Sequence, residues 1–337
     1  MTDQRASTRP SAALLAGVPA AVGVIVSFVT AVVQFAGIQG KTIPSITGLD
    51  KFLGVPSAAI SIILFAIFVT WFVGQAAGAL YGHGLSIASI VVASLTTLLE
   101  LLAVILNFSW VAIVLLIAAG VTLVFTILGC RAAKAADAGP QVARADRPWI
   151  FGVWLVIAGL GGLLASFNLS VDKVTAVLQP GLKLSCSVNP TTQCLTNLES
   201  WQGSLFGFPN PLLGLGGFAV VLLIGVAVLA GVRFPRWWWV AFNVCVIAAV
   251  AFIIFLIIES IYVLGTLCLW CALVYVMIFP LFWLVTLRNF AQGNLRVGPR
   301  GTKFAAAAYT WVPLLSLVCY LIIFLMFQTW LNILGGL

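Results

Sequence analysis

WWWVAFNVCVIAAVAFIIFLII, residues 237–258, decides the fold. The block runs from Arg236 to Glu259 with no charge inside it. A bilayer core ~30 Å thick takes about 20 helical residues to cross, and this block supplies them. A stretch that is apolar on every side has no face to offer water, so it reads as a membrane span and not as an amphipathic surface helix. Comparable blocks lie on both sides of it. Together they predict nine spans, at about 13–38, 56–80, 85–107, 110–130, 149–168, 210–231, 237–258, 262–286 and 306–333. Composition agrees, with 63% hydrophobic and 7% charged residues, against roughly a quarter charged in soluble domains. The expected fold class is an all-α polytopic membrane protein. The first block is longer than a signal-peptide core and has no small-residue cleavage site, so it reads as a retained helix.

The net charge of +8 does not point to nucleic acid, because the basic residues are scattered at span ends and form no stripe. With the N-terminus inside, the inner segments hold Arg5, Arg9, Arg131, Lys134, Arg144, Arg147, Arg233, Arg236, Arg288, Arg296, Arg300 and Lys303. The outer segments hold Lys41, Lys51, Lys173 and Lys183. That bias orients the chain in the plasma (inner) membrane, with a cytoplasmic N-terminus and an extracytoplasmic C-terminus. Trp237, Trp238 and Trp239 beside Arg236 fit an interfacial aromatic belt. The Ala-, Arg- and Asp-rich stretch 131–148 reads as a cytoplasmic linker. It separates an N-terminal four-span region, 1–130, from a second bundle at 149–290, followed by a cytoplasmic loop and the last span within 291–337.

Four cysteines carry the chemistry. Cys186 and Cys194 flank the polar segment SVNPTTQ, and Cys268 and Cys271 form a C-x-x-C further along. The orientation puts both pairs on the extracytoplasmic side, where disulfides persist. Asn189-Pro190 favours a turn that brings Cys186 and Cys194 within bonding reach. Alone, that pair reads first as a loop staple, the commonest fate of an outer cysteine pair. Thr266 is a plausible N-cap, which would put Cys268 in the first turn of a helix, where free N–H groups favour a thiolate. Cys271 and Tyr275 then follow on the same face. A haem site would need His where Ala272 stands. A four-cysteine zinc site and a pair of buried apolar cysteines are the other readings of the C-x-x-C. Two pairs on one side allow electrons to pass by disulfide exchange. With no haem, flavin or iron–sulfur signature, a lipid-soluble quinone is the economical acceptor, and no metal is expected. Asn210, between Pro209 and Pro211, is either a donor to a quinone carbonyl or a turn residue.

These residues resemble the vitamin K epoxide reductases and their bacterial homologues over about 148–290. The resemblance rests on the order of the two pairs, Ser200 six residues after Cys194, Gly207-Phe208-Pro209-Asn210 opening a span, and Tyr275 four residues after the C-x-x-C. It implies a four-helix catalytic bundle around a quinone of the menaquinone or ubiquinone type, with a short half-helix near Ser170–Gly181 capping it. It also implies roles. Cys186 faces an external thiol, Cys194 passes electrons to Cys268, and Cys271 reduces the quinone. Asn210 and Tyr275 bind the quinone head group, and Ser200 lies near the loop. Many bacterial relatives carry a fused thioredoxin-like domain; residues up to Leu337 show none, so a separate extracytoplasmic thioredoxin-like partner is expected. The family resemblance implies a quinone-dependent thiol oxidase that supports disulfide formation in exported proteins. An unrelated quinone-linked thiol oxidase family has the two cysteine pairs in the reverse order. A disulfide-stapled transporter or receptor without redox chemistry is the alternative from a different class.

The core of that family does not need residues 1–130. Within them Glu100 sits in a span, where a carboxyl is costly and often functional. His83 reads as a structural turn residue and Cys130 as a packing residue, as do Cys245 and Cys319. Gly54-Val55-Pro56 weakly echoes Gly207-Phe208-Pro209, and a cysteine-free copy of the second bundle is one reading of 1–130.

Overall fold

Every apolar block becomes a helix. The computed structural model describes residues 10–39, 57–76, 83–106, 110–135, 148–179, 181 and 184–332. The helices are α1 (Pro10–Gln39), α2 (Ser57–Ala76), α3 (His83–Leu106), α4 (Trp110–Ala135), α5 (Trp149–Leu178), α6 (Leu195–Glu199), α7 (Pro211–Leu229), α8 (Arg236–Glu259), α9 (Leu269–Ala291), α10 (Gly298–Tyr309) and α11 (Val312–Leu331). Among the described residues, seven helices are long and apolar enough to cross a membrane: α1, α4, α5, α7, α8, α9 and α11. The second and third expected spans, α2 and α3, carry shorter apolar stretches, Ala58–Phe72 and Ser89–Ile105. Exposed apolar side chains such as Ile105, Val263 and Leu325 coat the helices, as a lipid-facing surface requires.

Three expectations change. The fifth span does not stop at 168 and give way to a separate half-helix. It continues to Leu178, because Ser170 satisfies its hydroxyl on the Ser166 carbonyl and nothing breaks the helix. The last expected span divides into α10 and α11 at Thr310–Trp311, with Pro313 in the first turn of α11. Cys245 is exposed on α8 and not in the core, because a span apolar all round can turn any face to lipid. Cys130 and His83 lie on α4 and α3 with side chains outside the described residues, as does the whole of Gly54-Val55-Pro56.

The chain forms two compact units, Met1–Gly159 with Leu215–Phe234, and Leu160–Gly214 with Pro235–Leu337. In the first, α1 packs on α2 and α4, and α3 packs on α4 and α2. Hydroxyls of Thr30, Thr70, Thr96, Thr122 and Thr126 donate to carbonyls one turn back, which lets them sit in apolar helices. Glu100 is buried and accepts a 2.6 Å hydrogen bond from Ser61 Oγ. Glycines set the helix spacing. A Cβ on Gly159 would stand 2.6 Å from Leu222 Cα, and one on Gly225 would stand 2.7 Å from the Val156 nitrogen. Membrane helices lack a hydrophobic drive toward one another, so such close backbone approach is a main source of their packing energy.

In the second unit, α9 packs against α8, α10 and α11. Thr286 Oγ1 donates to Asn243 Oδ1 at 3.0 Å, and Asn289 Nδ2 donates to the Trp239 carbonyl at 3.0 Å. The Arg288 guanidinium lies 4.5 Å from the Trp239 ring centre. Trp239 is therefore buried, while Trp237 stays exposed as an interfacial residue would. Tyr320 on α11 donates to the Val276 carbonyl of α9 at 2.7 Å. Gly161 on α5 leaves room for Met277 of α9, whose sulfur would be 2.6 Å from a Cβ there.

The glycine spacing is testable. Gly225→Leu is expected to destabilise the detergent-solubilised protein by about 1–3 kcal/mol through overpacking, read as a lowered thermal midpoint. An unchanged midpoint would show that these helices are not packed backbone to backbone.

Candidate active site

The polar loop after α5 folds on itself because Asn189 caps it. Asn189 Oδ1 accepts from Thr191 N at 3.1 Å, Thr191 Oγ1 at 2.9 Å and Thr192 N at 2.7 Å. Val188 N donates to the Thr192 carbonyl at 2.9 Å and closes the turn. The fold-back brings the Cα atoms of Cys186 and Cys194 to 5.8 Å, and the two form a disulfide. The turn expected at Asn189-Pro190 is thus present and does the joining.

The loop docks on the segment that leads into α9. Leu267 N donates to the Thr191 carbonyl at 2.8 Å, pairing Thr192 with Leu267 in a single parallel bridge. Asn197 Nδ2 donates to Thr266 Oγ1 at 2.8 Å. Below this, α8 ends in a π-helical turn, Ser260–Leu264, and Gly265 reverses the chain at φ +65°. Glycine takes that left-handed conformation without strain.

This corrects the expected start of α9. Thr266 is spent on Asn197 and on Ser260, whose hydroxyl donates to the Thr266 carbonyl at 2.5 Å. The N-cap is Cys268 itself, whose sulfur accepts from Cys271 N at 3.4 Å. The helix N-terminus faces the Cys268 sulfur.

Docking brings Cys268 Sγ to 2.9 Å from Cys194 Sγ. Cys186, Cys194 and Cys268 are all buried in one apolar cluster with Leu169, Ala176, Leu184 and Leu198, and Leu195, Trp270 and Cys271 pack against it. Cys268 and Cys271 are free thiols. Tyr275, one turn beyond Cys271, is buried. The arrangement is an oxidised pair in the loop touching a reduced pair at the start of α9 through one sulfur–sulfur contact. Chemically, it is set for thiol–disulfide exchange between Cys268 and Cys194.

Asn210 and Ser200 hold the chain after α6. Asn210 Nδ2 donates to the Gln202 carbonyl at 2.7 Å, and its Oδ1 accepts from Leu205 N at 3.3 Å. Ser200 Oγ donates to the Asn197 carbonyl at 2.8 Å and accepts from Gly203 N at 3.2 Å. Gln202 Nε2 donates to Glu259 Oε2 at 3.0 Å, while Gln202 Oε1 is buried without a partner among the described residues.

Sequence reasoning passed over Asp172 and read Lys173, at the end of α5, only as an outer-segment charge. Both are buried. Lys173 Nζ donates to the Leu198 carbonyl at 2.5 Å, at the end of α6. Asp172 Oδ1 accepts from Ser185 N at 3.3 Å, and Oδ2 accepts from Ser185 Oγ at 2.8 Å. Trp270 Nε1 donates to Ser185 Oγ at 2.8 Å. The pair thus grips the loop on both sides of its disulfide. The available signal was two charges inside a helix otherwise apolar, which marks a functional site in a membrane span. Ending the span at 168 hid it. Asp172, Cys186 and Cys194 also lie close enough to suggest a metal site, but the disulfide occupies both sulfurs.

A model of the vitamin K epoxide reductase family matches residues 153–286, which run from α5 into α9. No curated protein and no solved structure matches the chain.

Asn189→Ala removes an acceptor that serves three donors. Amide hydrogen exchange of residues 188–194 is expected to accelerate by about ten-fold or more, in keeping with ~1–2 kcal/mol lost at a cap. Unchanged protection would mean that docking on Leu267 alone orders the loop.

Proposed function

We propose that the chain, whose residues 153–286 belong to the vitamin K epoxide reductase family, is a membrane thiol oxidase. A reduced thioredoxin-like protein outside the membrane gives its electrons to Cys186–Cys194. Cys194 and Cys268 exchange them inward, and Cys268 with Cys271 delivers them to a quinone. The observation that carries this reading is the 2.9 Å contact between Cys194 Sγ and Cys268 Sγ beside a formed Cys186–Cys194 disulfide. A structural staple needs no third thiol against its sulfur, so the contact favours a relay over a stapled transporter or receptor.

The quinone accepts two electrons and two protons when bound. The residues proposed to hold it are Asn210 and Tyr275. Asn210 spends one amide hydrogen on Gln202 and has a second to donate. The buried Gln202 Oε1 beside it is an acceptor suited to a hydroxyl such as a quinol carries. Tyr275 continues the stripe of Cys268 and Cys271 into the apolar interior. Ser200 supports the turn that presents Asn210.

Cys186 is buried, so a partner thiol reaches it only when the loop lifts from Leu267. In the docked form the sulfurs are dry, which excludes water and stray thiols from the exchange. The outside position of the cysteine pairs in this reading is supported by the distribution of Arg and Lys.

Purified protein supplied with a reduced thioredoxin-like partner and a quinone is expected to form quinol. Cys271→Ala should lower the rate to background, and turnover retained in that variant would sink the assignment. A reduced partner whose second thiol is replaced by Ser should attack the parent's Cys186–Cys194 bond and stay on Cys186 as a mixed disulfide, visible as a shifted band on a non-reducing gel.

A further inference from the structure

Asp172 Oδ2 lies 3.3 Å from Cys186 Sγ, and both residues are buried. Burying a carboxylate is expensive unless its oxygens are bonded. Asp172 accepts two bonds from Ser185, yet it also faces a sulfur that, within a disulfide, has no hydrogen to donate. Contact with that sulfur is rewarded only in a state where Cys186 carries a hydrogen. We propose that Asp172 is a catalytic residue of the relay, the base that takes the thiol proton of Cys186 as the outer disulfide is re-formed. This inference rests on the relay reading above and deepens it.

The step balances. Before it, Cys194 and Cys268 share a mixed disulfide and Cys186 is a thiol. The Cys186 sulfur attacks Cys194 Sγ while its proton passes to Asp172. The Cys186–Cys194 bond forms, the Cys194–Cys268 bond breaks, and Cys268 leaves as a thiolate. Cys186 is oxidised and Cys268 is reduced, with no outside oxidant. The negative charge leaves the Asp172 carboxylate and arrives on Cys268. There the Cys271 N–H and the start of α9 face it. The buried cluster holds one negative charge before and after, so no further charge is desolvated. The structure has the arrangement that follows this step, with the outer pair joined and Cys268 Sγ still 2.9 Å from Cys194 Sγ.

Other groups nearby are poor substitutes. Lys173, next in α5, is a donor engaged by the Leu198 carbonyl. Glu199 is exposed, and Glu259 is held by Gln202. Cys194, Cys268 and Cys271 are the remaining titratable groups of the cluster and are themselves the reactants, with Tyr275 one turn deeper on α9. Ser185 and Trp270 are positioning residues. The indole N–H fixes the Ser185 oxygen, and the Ser185 hydroxyl fixes the carboxylate. Trp270 follows Leu269 in the first turn of α9, so the base is aligned when the loop is docked on that helix.

The test is a single turnover of the full chain in lipid nanodiscs, with reduced partner and quinone. Samples are acid-quenched and mapped without reduction for the Cys194–Cys268 peptide. Asp172→Asn keeps an oxygen for Ser185 but cannot hold the proton. At about pH 7 it is expected to accumulate the Cys194–Cys268 peptide and to resolve it roughly 10²-fold more slowly than the parent, the low end of the usual effect of a general base. At about pH 9, above the ordinary thiol value of ~8.5, the rate should recover, because solvent then removes the proton. Resolution at the parent rate at the lower pH overturns the proposal. So does a defect that persists at the higher pH, which would make Asp172 a structural clamp. If Asp172→Asn does not fold, the parent decides alone. Its resolution rate should be flat between about pH 6 and 8, and a tenfold rise per unit, as a free thiol would give, overturns the proposal. Failure of the parent to form quinol or any Cys194–Cys268 peptide would instead remove the relay reading beneath it.

Discussion

One sulfur–sulfur contact, Cys194 to Cys268, sets the terms for the rest of the second unit. Disulfide exchange needs the attacking sulfur against the sulfur attacked, and it needs other nucleophiles kept away. A polar loop whose Val188 and Pro190 stay exposed would not hold its two end cysteines in a dry apolar cluster unaided. Its backbone groups must be satisfied first. The Asn189 turn satisfies those inside the loop, the Leu267–Thr191 bond those facing α9, and the Ser185 bonds to Asp172 those nearest α5. Only then can Cys186, Cys194 and Cys268 be buried together.

The surrounding helices meet a related constraint. A span that is apolar all round gains little by turning one face inward, so packing depends on how closely backbones approach and on a few polar pairs. Gly161 leaves room for Met277 against α5, and Thr286–Asn243 and Asn289–Trp239 tie α9 to α8. These ties hold the helix that carries Cys268, Cys271 and Tyr275. The turn at Gly265, the cap by Cys268 and the bond from Asn197 to Thr266 then place the first of those cysteines at the helix mouth.

Much of this was legible in the sequence, for physical reasons that differ by element. Long apolar blocks such as 237–258 announce themselves, because the bilayer demands a fixed length of apolar helix. The turn at Asn189 was legible from Asn-Pro, and the cysteine spacing fitted a bonded pair. Helix ends were not. Asp172 and Lys173 look like loop residues by charge, yet α5 runs through them because their side chains are satisfied by Ser185 and Leu198 from far along the chain. The cap of α9 was misplaced for a similar reason. Thr266 has the right chemistry for a cap, but a long-range bond to Asn197 engages it. Cys245 shows the limit of apolar sequence as a guide, since hydrophobicity does not distinguish lipid from core.

The central claim is that the two cysteine pairs exchange electrons through Cys194 and Cys268. Its most direct measurement is a non-reducing mass map of all disulfide-linked peptides in the parent protein, taken after reduction by the partner, before and after quinone is added. The account predicts four thiols in the fully reduced protein. After a limiting addition of quinone it predicts Cys186–Cys194 re-formed with Cys268 and Cys271 as thiols, and a transient Cys194–Cys268 peptide in between. A Cys186–Cys194 bond that ignores both partner and quinone, with no Cys194–Cys268 peptide at any time, would contradict it.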